Sequence, residues 1–169
     1  LLYLGTAKSH KNLPTLIAAH RRRPGLPPLV LAGPTAAEVA ACGVAVRPGD
    51  RVRALGRVPD GAVAALLRGA DAVALPSRRE GVGLVALEAM ACATAVVASD
   101  GEGVTDTVGD AALVVPAGDE EAWADALARV VGDEGLRTRL GACGRERALA
   151  RTWPDAARAY IELFRAAAR

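Results

Sequence analysis

The sequence predicts an α/β fold, a doubly wound parallel sheet of about six strands with helices on both faces. Three observations carry this. Short apolar runs rich in Val, Leu and Ala recur along the chain without alternating polar residues, the pattern of strands covered on both sides. Stretches with helical spacing alternate with those runs through short links, which implies βαβ units. Small residues are frequent in both, which suits close packing of helices on a sheet.

The elements follow in order. LLYLG (1–5) is a strand and leads to the helical stretch NLPTLIAAHRR (12–22). PLVLAG (28–33) leads to TAAEVAACG (35–43), and RVRALG (51–56) leads to GAVAALLRGA (61–70). DAVALP (71–76) leads to LVALEAMACA (84–93). AVVAS (95–99) is followed by a turn-rich piece, and AALVVP (111–116) by EEAWADALARVV (120–131). From Glu120 onward no strand is evident, and two or three successive helices are expected. Asp119 is placed to cap the first of these. Trp153-Pro154-Asp155 opens the last, with proline at an early helical position. In that last helix Ala157, Tyr160, Ile161 and Phe164 share one face, which is expected to pack across the domain or onto a further part of the protein.

Composition narrows the function classes. The chain has 169 residues, 51% hydrophobic and 24% charged, enough for one globular core over residues 1–169. Lys plus Arg number 21 against 19 Asp plus Glu, a net charge of +2, so there is no global attraction to nucleic acid or anionic lipid. No apolar run reaches the roughly 18 residues of a membrane span, and no secretory signal pattern is present. The sequence opens on Leu1 inside a strand, which reads as a piece of a longer protein cut at a domain boundary. Cys42, Cys92 and Cys143 are odd in number and widely spaced, with no C-x-x-C pair. They are expected to be small buried hydrophobes rather than a zinc site or disulfide framework. The run His20-Arg21-Arg22-Arg23 is expected to be a solvated helix end, where cations suit the dipole.

In a doubly wound sheet, ligands bind beyond the carboxyl ends of the strands, so the loops after each run matter most. The first, Gly5-Thr6-Ala7-Lys8-Ser9-His10-Lys11-Asn12, is neither a G-x-G-x-x-G nor a Walker A loop. It sets two lysines and a histidine before a helix amino terminus, a chemistry that suits phosphate but also describes an ordinary basic surface loop. The loop after DAVALP is more specific. Gly81 and Gly83 free the backbone for close approach to a ligand, and a helix begins at once with its unpaired N–H groups. Glu80 precedes that helix and Glu88 lies about one turn inside it. With Leu84, Leu87 and Ala91 read as the apolar stripe, Glu88 is expected beside a buried face, in need of donors such as sugar hydroxyls or of a cationic partner.

Glu80 and Glu88, separated by seven residues within EGVGLVALEAMACATAVVASD, resemble the paired-glutamate signature of retaining glycosyltransferases of family 4, within glycosyl transferases group 1. LYLGTAKSHKNLPTLIAAH resembles the phosphate-binding stretch that starts the carboxy-terminal domain of that family. VLAGP, LGRVPDGAVAALLRGADAVALPS and DTVGDAALVVPAGDEEAWADAL fall in the family's order and spacing. The resemblance implies one half of a GT-B fold: a Rossmann-like domain that binds the nucleotide-sugar donor. The amino-terminal, acceptor-binding domain would be absent from this chain.

Residue by residue, the resemblance implies that Glu80 contacts the donor's hexose hydroxyls and that Glu88 holds the nucleotide ribose. Gly81, Val82, Gly83, Leu84 and Val85 match the turn and helix start near the sugar and diphosphate. Lys11 matches the diphosphate-binding lysine, and Arg57 and Val58 the segment near the nucleobase. Lys11 and Glu80 are the residues implied to be catalytic. This sequence departs from the family in three places. Thr6 stands where many members have an arginine, leaving Lys8 or His10 as candidate substitutes. Ala93 stands where glycine is frequent. Gly103-Val104-Thr105-Asp106 replaces a frequent G-x-P-E.

The reaction implied is transfer of a hexosyl group from a nucleotide diphosphate sugar to an acceptor hydroxyl, with retention and without cofactor or metal. The acceptor, whether a sugar, a lipid-linked sugar or a small molecule, would bind through the absent domain, and this chain alone is expected to be inactive. Richness in Ala, Arg and Gly suggests a GC-rich bacterial genome, and the expected setting is cytoplasmic, with peripheral contact of the longer protein at the inner membrane face left open. Two alternatives remain: a sugar-nucleotide 2-epimerase on the same fold, and a binding module without activity. The absent glycine fingerprint disfavours a dehydrogenase.

Overall fold

The computed structural model describes residues 1–168. Six strands, β1 (Leu2–Leu4), β2 (Leu29–Ala32), β3 (Val52–Gly56), β4 (Val73–Leu75), β5 (Val96–Ser99) and β6 (Leu113–Val115), form one sheet in the order β3-β2-β1-β4-β5-β6. Every pairing is parallel. The predicted architecture is therefore observed. The strands are short because the chain leaves the sheet at Gly or Pro soon after each one begins.

Among the described residues there are eight α-helices: α1 (Leu13–Arg21), α2 (Ala36–Ala41), α3 (Asp60–Arg68), α4 (Leu84–Ala91), α5 (Val104–Val108), α6 (Glu120–Gly132), α7 (Glu134–Leu149) and α8 (Trp153–Ala167). Alternate strand residues enter two cores. Tyr3, Leu31, Ala74 and Val97 join Leu16, Ile17, Trp123 and Leu127 on the side of α1 and α6. Leu2, Val73, Leu75 and Val96 join Leu67, Met90 and Val104 on the side of α3, α4 and α5. Period-two burial on both faces is what a covered parallel sheet requires.

Capping explains the helix starts. Thr35 and Glu38 form a reciprocal capping box at α2. Asp119 accepts from the Ala122 N–H at α6, as expected, and Asp133 from Leu136 at α7. Thr152 caps α8, with Pro154 in its first turn.

Several expectations are corrected. The turn-rich piece after β5 contains a short helix, α5, entered through Gly103 with φ +72°. The cysteines are not buried: Cys42 and Cys92 are half-buried and Cys143 is exposed, all three free. The basic run is not simply solvated. His20 is buried, Arg21 pairs with Asp50, and Arg22 and Arg23 pair with Glu120, Glu121 and Asp125 of α6. Finally, α8 does not pack across the domain and lies on no core face. Trp153, Tyr160, Ile161, Leu163 and Phe164 are all exposed, and the only aromatic stacking involves Tyr160 with Phe164 inside the helix, among the described residues. No helix of the described residues is long and apolar enough to cross a membrane.

Candidate functional site

The sheet order places β1 and β4 side by side although α1 to α3 separate them in sequence. The connections leave β1 toward β2 on one side and β4 toward β5 on the other. This is the point where the winding reverses, and in sheets of this kind the ligand crevice lies there, beyond the carboxyl ends of the strands. The two loops singled out from sequence flank that crevice.

After β1, the chain passes Thr6 and Lys8, both exposed, and makes one 3₁₀ turn, Ser9–Lys11. Asn12 then takes a left-handed conformation, φ 55° and ψ 35°, and α1 begins. The loop is held from below by Tyr3, whose hydroxyl donates to the Thr6 carbonyl at 2.6 Å. Burial pushes the Tyr3 phenol well above its ordinary value, and the neighbouring Glu80 carboxylate and Cys42 push the same way. It is therefore a neutral strut at physiological pH.

After β4, Pro76 and Ser77 are buried, Glu80 is half-buried, and Arg78, Arg79 and Gly81 are exposed. The Arg78 N–H donates to the His10 carbonyl at 2.8 Å, which joins the two loops. The Glu80 N–H donates to the Glu102 carbonyl at 2.9 Å, and Glu102 N–H to the Arg78 carbonyl at 3.2 Å, which joins the second loop to the one after β5. A Cβ on Gly103 would lie 2.2 Å from the Glu80 carbonyl oxygen, so only glycine permits this approach. Thr107 on α5 donates to the Val82 carbonyl and fixes the turn before α4.

The central contact is between Lys11 and Glu80. Lys11 Nζ lies 2.7 Å from Oε1 and 2.9 Å from Oε2, with the side chains 19% and 11% exposed. Beside it α4 starts at Gly83, whose φ of +67° suits glycine, with no side chain capping the first turn. The leading N–H groups of α4 are therefore available to an anion.

The remaining predicted residues divide. Gly81, Val82 and Leu84 are exposed around the same turn, Val85 is half-buried, and Gly83 is buried. Arg57, exposed, and Val58, half-buried, follow β3 at the sheet edge, with no hydrogen bond to the Lys11–Glu80 pair among the described residues. Glu88 is not beside a buried face. The buried side of α4 is Ala86, Ala89 and Met90, so Leu84 and Glu88 point outward and Glu88 is exposed. Helical phase accounts for the reversal: a helix apolar nearly all round offers no stripe from which to read the inward side. In the loops, sequence reasoning passed over Asn12, Arg78 and Thr107. An Asn directly before Leu-Pro at a helix start was the available signal for the first of them.

Comparison with known proteins identifies the family and the fold. The sequence profile described as glycosyl transferases group 1 matches residues 1–147. D-inositol 3-phosphate glycosyltransferase of Saccharomonospora viridis is 45% identical over 102 residues, 59% of this chain and 24% of that protein. The matched stretch thus spans about a quarter of that relative's length. The structure of a sucrose-phosphate synthase from Thermosynechococcus elongatus superposes with a TM-score of 0.80 at 32% identity, over 98% of this chain and 46% of that one. Anabaena HepE in complex with UDP-glucose shares the fold, with a TM-score of 0.75 at 21% identity, over 89% of this chain and 43% of that one. The matched profile covers all six strands of the sheet, and the chain belongs to the glycosyl transferases group 1 family.

Proposed function

We propose that this chain is the nucleotide-sugar-binding domain of a retaining hexosyltransferase of the family 4 type, and that a further domain supplies the acceptor. The observation that carries the reading is the Lys11–Glu80 pair at the β1/β4 reversal, set against the uncapped amino terminus of α4.

In this reading the departing diphosphate lies between Lys11 and the first N–H groups of α4. Both are fixed before reaction, so the negative charge that develops on the leaving group meets preorganised donors. Glu80 holds the lysine toward the crevice and accepts from a hexose hydroxyl with its remaining lone pairs. Glu88, exposed on the outer side of α4, is free to accept from the ribose hydroxyls. Exposed Val82 and Leu84 offer apolar surface beside them. The nucleotide-sugar donor places the reaction in the cytoplasm, where such donors are made.

The test is a thermal-shift titration of the chain with UDP, GDP, ADP and their sugars, in EDTA. Ligand at a hundred times its dissociation constant stabilises by about 2.7 kcal/mol, a shift of several degrees for a domain of this size. A selective shift that disappears in Glu88→Ala supports the donor site and names the base. Absence of any shift counts against donor binding by this domain.

A further inference from the structure

Asn12 stands where a helix-capping residue normally accepts the N–H of the third helical residue. It does not do so, because no side-chain cap is made at α1. Its amide is used elsewhere. Nδ2 donates to the Pro76 carbonyl at 3.2 Å and to the Ala117 carbonyl at 2.6 Å. Oδ1 accepts from the Thr15 hydroxyl at 2.9 Å and from the Arg78 guanidinium at 3.4 Å. Both donors and both acceptor positions of the amide are filled. The residue is 3% exposed and sits at φ 55°, an uncommon conformation for a side chain other than glycine. One buried side chain thus ties the loops after β1, β4 and β6 together, and the residue before it is Lys11.

We propose that Asn12 is a positioning residue for the donor site: it holds the Lys11 ammonium in place by locking the three loops at the carboxyl edge of the sheet. Its functional meaning rests on the donor-site reading, but the geometry does not. Asparagine adopts the left-handed backbone more readily than other residues with a Cβ, and here the amide's four hydrogen bonds fix it in place. Lys11 is the residue immediately before Asn12, so a rotation at Asn12 is transmitted directly to the position of Nζ relative to Glu80.

The experiment compares the wild-type chain with Asn12→Gly, which keeps the left-handed backbone and removes the amide, and with Thr15→Val, which removes one donor to Oδ1. Lysine reactivity is measured by competitive acetylation and mass spectrometry. Asn12→Gly is expected to raise Lys11 reactivity several-fold and leave exposed Lys8 unchanged, with a smaller rise in Thr15→Val. Whichever of UDP, GDP and ADP binds the wild type is then titrated beside its nucleoside. Asn12→Gly is expected to weaken the diphosphate by ~10-fold or more, as a displaced positioning group does, and to leave the nucleoside unaffected. Unchanged Lys11 reactivity, or equal weakening of nucleoside and diphosphate, overturns the proposal. If no nucleoside diphosphate binds the wild type, the donor-site reading fails, and Lys11 reactivity alone still decides the positioning role.

Discussion

Lys11 Nζ reaches both carboxylate oxygens of Glu80, at 2.7 and 2.9 Å, across 69 positions of sequence. Side chains 19% and 11% exposed are shielded enough for the pair to matter, and each left alone is a partly desolvated charge. Lys11→Met and Glu80→Gln should each destabilise the fold, and the double variant should cost less than their sum. A coupling energy of about 0.5–3 kcal/mol is expected for groups in contact. Urea denaturation of the four proteins measures it, and simple additivity would remove the pair from the account of the site.

Ala93 carries strain that glycine would relieve. It has φ 57° at the end of α4, where its N–H donates to the Met90 carbonyl at 2.8 Å and the Thr94 N–H donates to Ala89 at 3.0 Å. These are the two hydrogen bonds of a Schellman ending, which favours glycine in this place. The left-handed region costs a residue with a Cβ about 1–2 kcal/mol, and added backbone freedom returns about 0.5–1 kcal/mol of that. Ala93→Gly is therefore expected to stabilise the chain by up to about 1 kcal/mol, visible as a raised Tm. A lowered Tm would show that the methyl group contributes packing that outweighs the strain.

His20 links stability to pH. It is 4% exposed and its Nε2 donates to the Pro27 carbonyl at 2.8 Å. Burial holds its pKa below the ordinary 6.5, against the opposing effect of that hydrogen bond. The folded state thus binds the proton less readily than the unfolded one. Its stabilising contribution is complete above the unfolded value of 6.5 and declines as pH falls below it toward the folded value. Melting temperature should drop between about pH 7.5 and about pH 5, and His20→Gln should flatten that slope. An identical pH profile in the variant would assign the acid sensitivity to other groups.

The last helix is expected to be dispensable for the core. All of α8 is exposed except half-buried Ala156, and its apolar residues meet neither core. A chain ending at Ala150 should keep the cooperative unfolding transition and show less self-association in light scattering, since an exposed patch with Trp153, Tyr160, Ile161 and Phe164 invites contact. Loss of the transition would mean that α8 stabilises the sheet.

Much of this was legible in the sequence. The inner strands β1, β2, β4 and β5 are apolar on both faces, so their positions and the parallel sheet follow from local pattern. Lys11 and Glu80 were marked by loop chemistry and by resemblance. What local pattern could not show was their direct contact, because that depends on β1 and β4 becoming neighbours. Glu88 was misplaced because α4 lacks a polar stripe from which to read its phase. Asn12 was passed over because its four partners come from separate stretches of chain, and no spacing rule joins Pro76, Ala117, Thr15 and Arg78.

The interior position of β1 also governs how the chain reaches this structure. Leu2 pairs with Val30 on one side and with Val73 on the other, so neither half of the sheet closes without the same three-residue strand. Parallel pairing waits for each crossover helix to return the chain, and the loop-closure entropy falls due before the contacts form. Refolding should therefore be slow relative to a helical bundle of the same length. β1, though among the shortest strands, should acquire its amide protection together with both neighbours rather than before either of them.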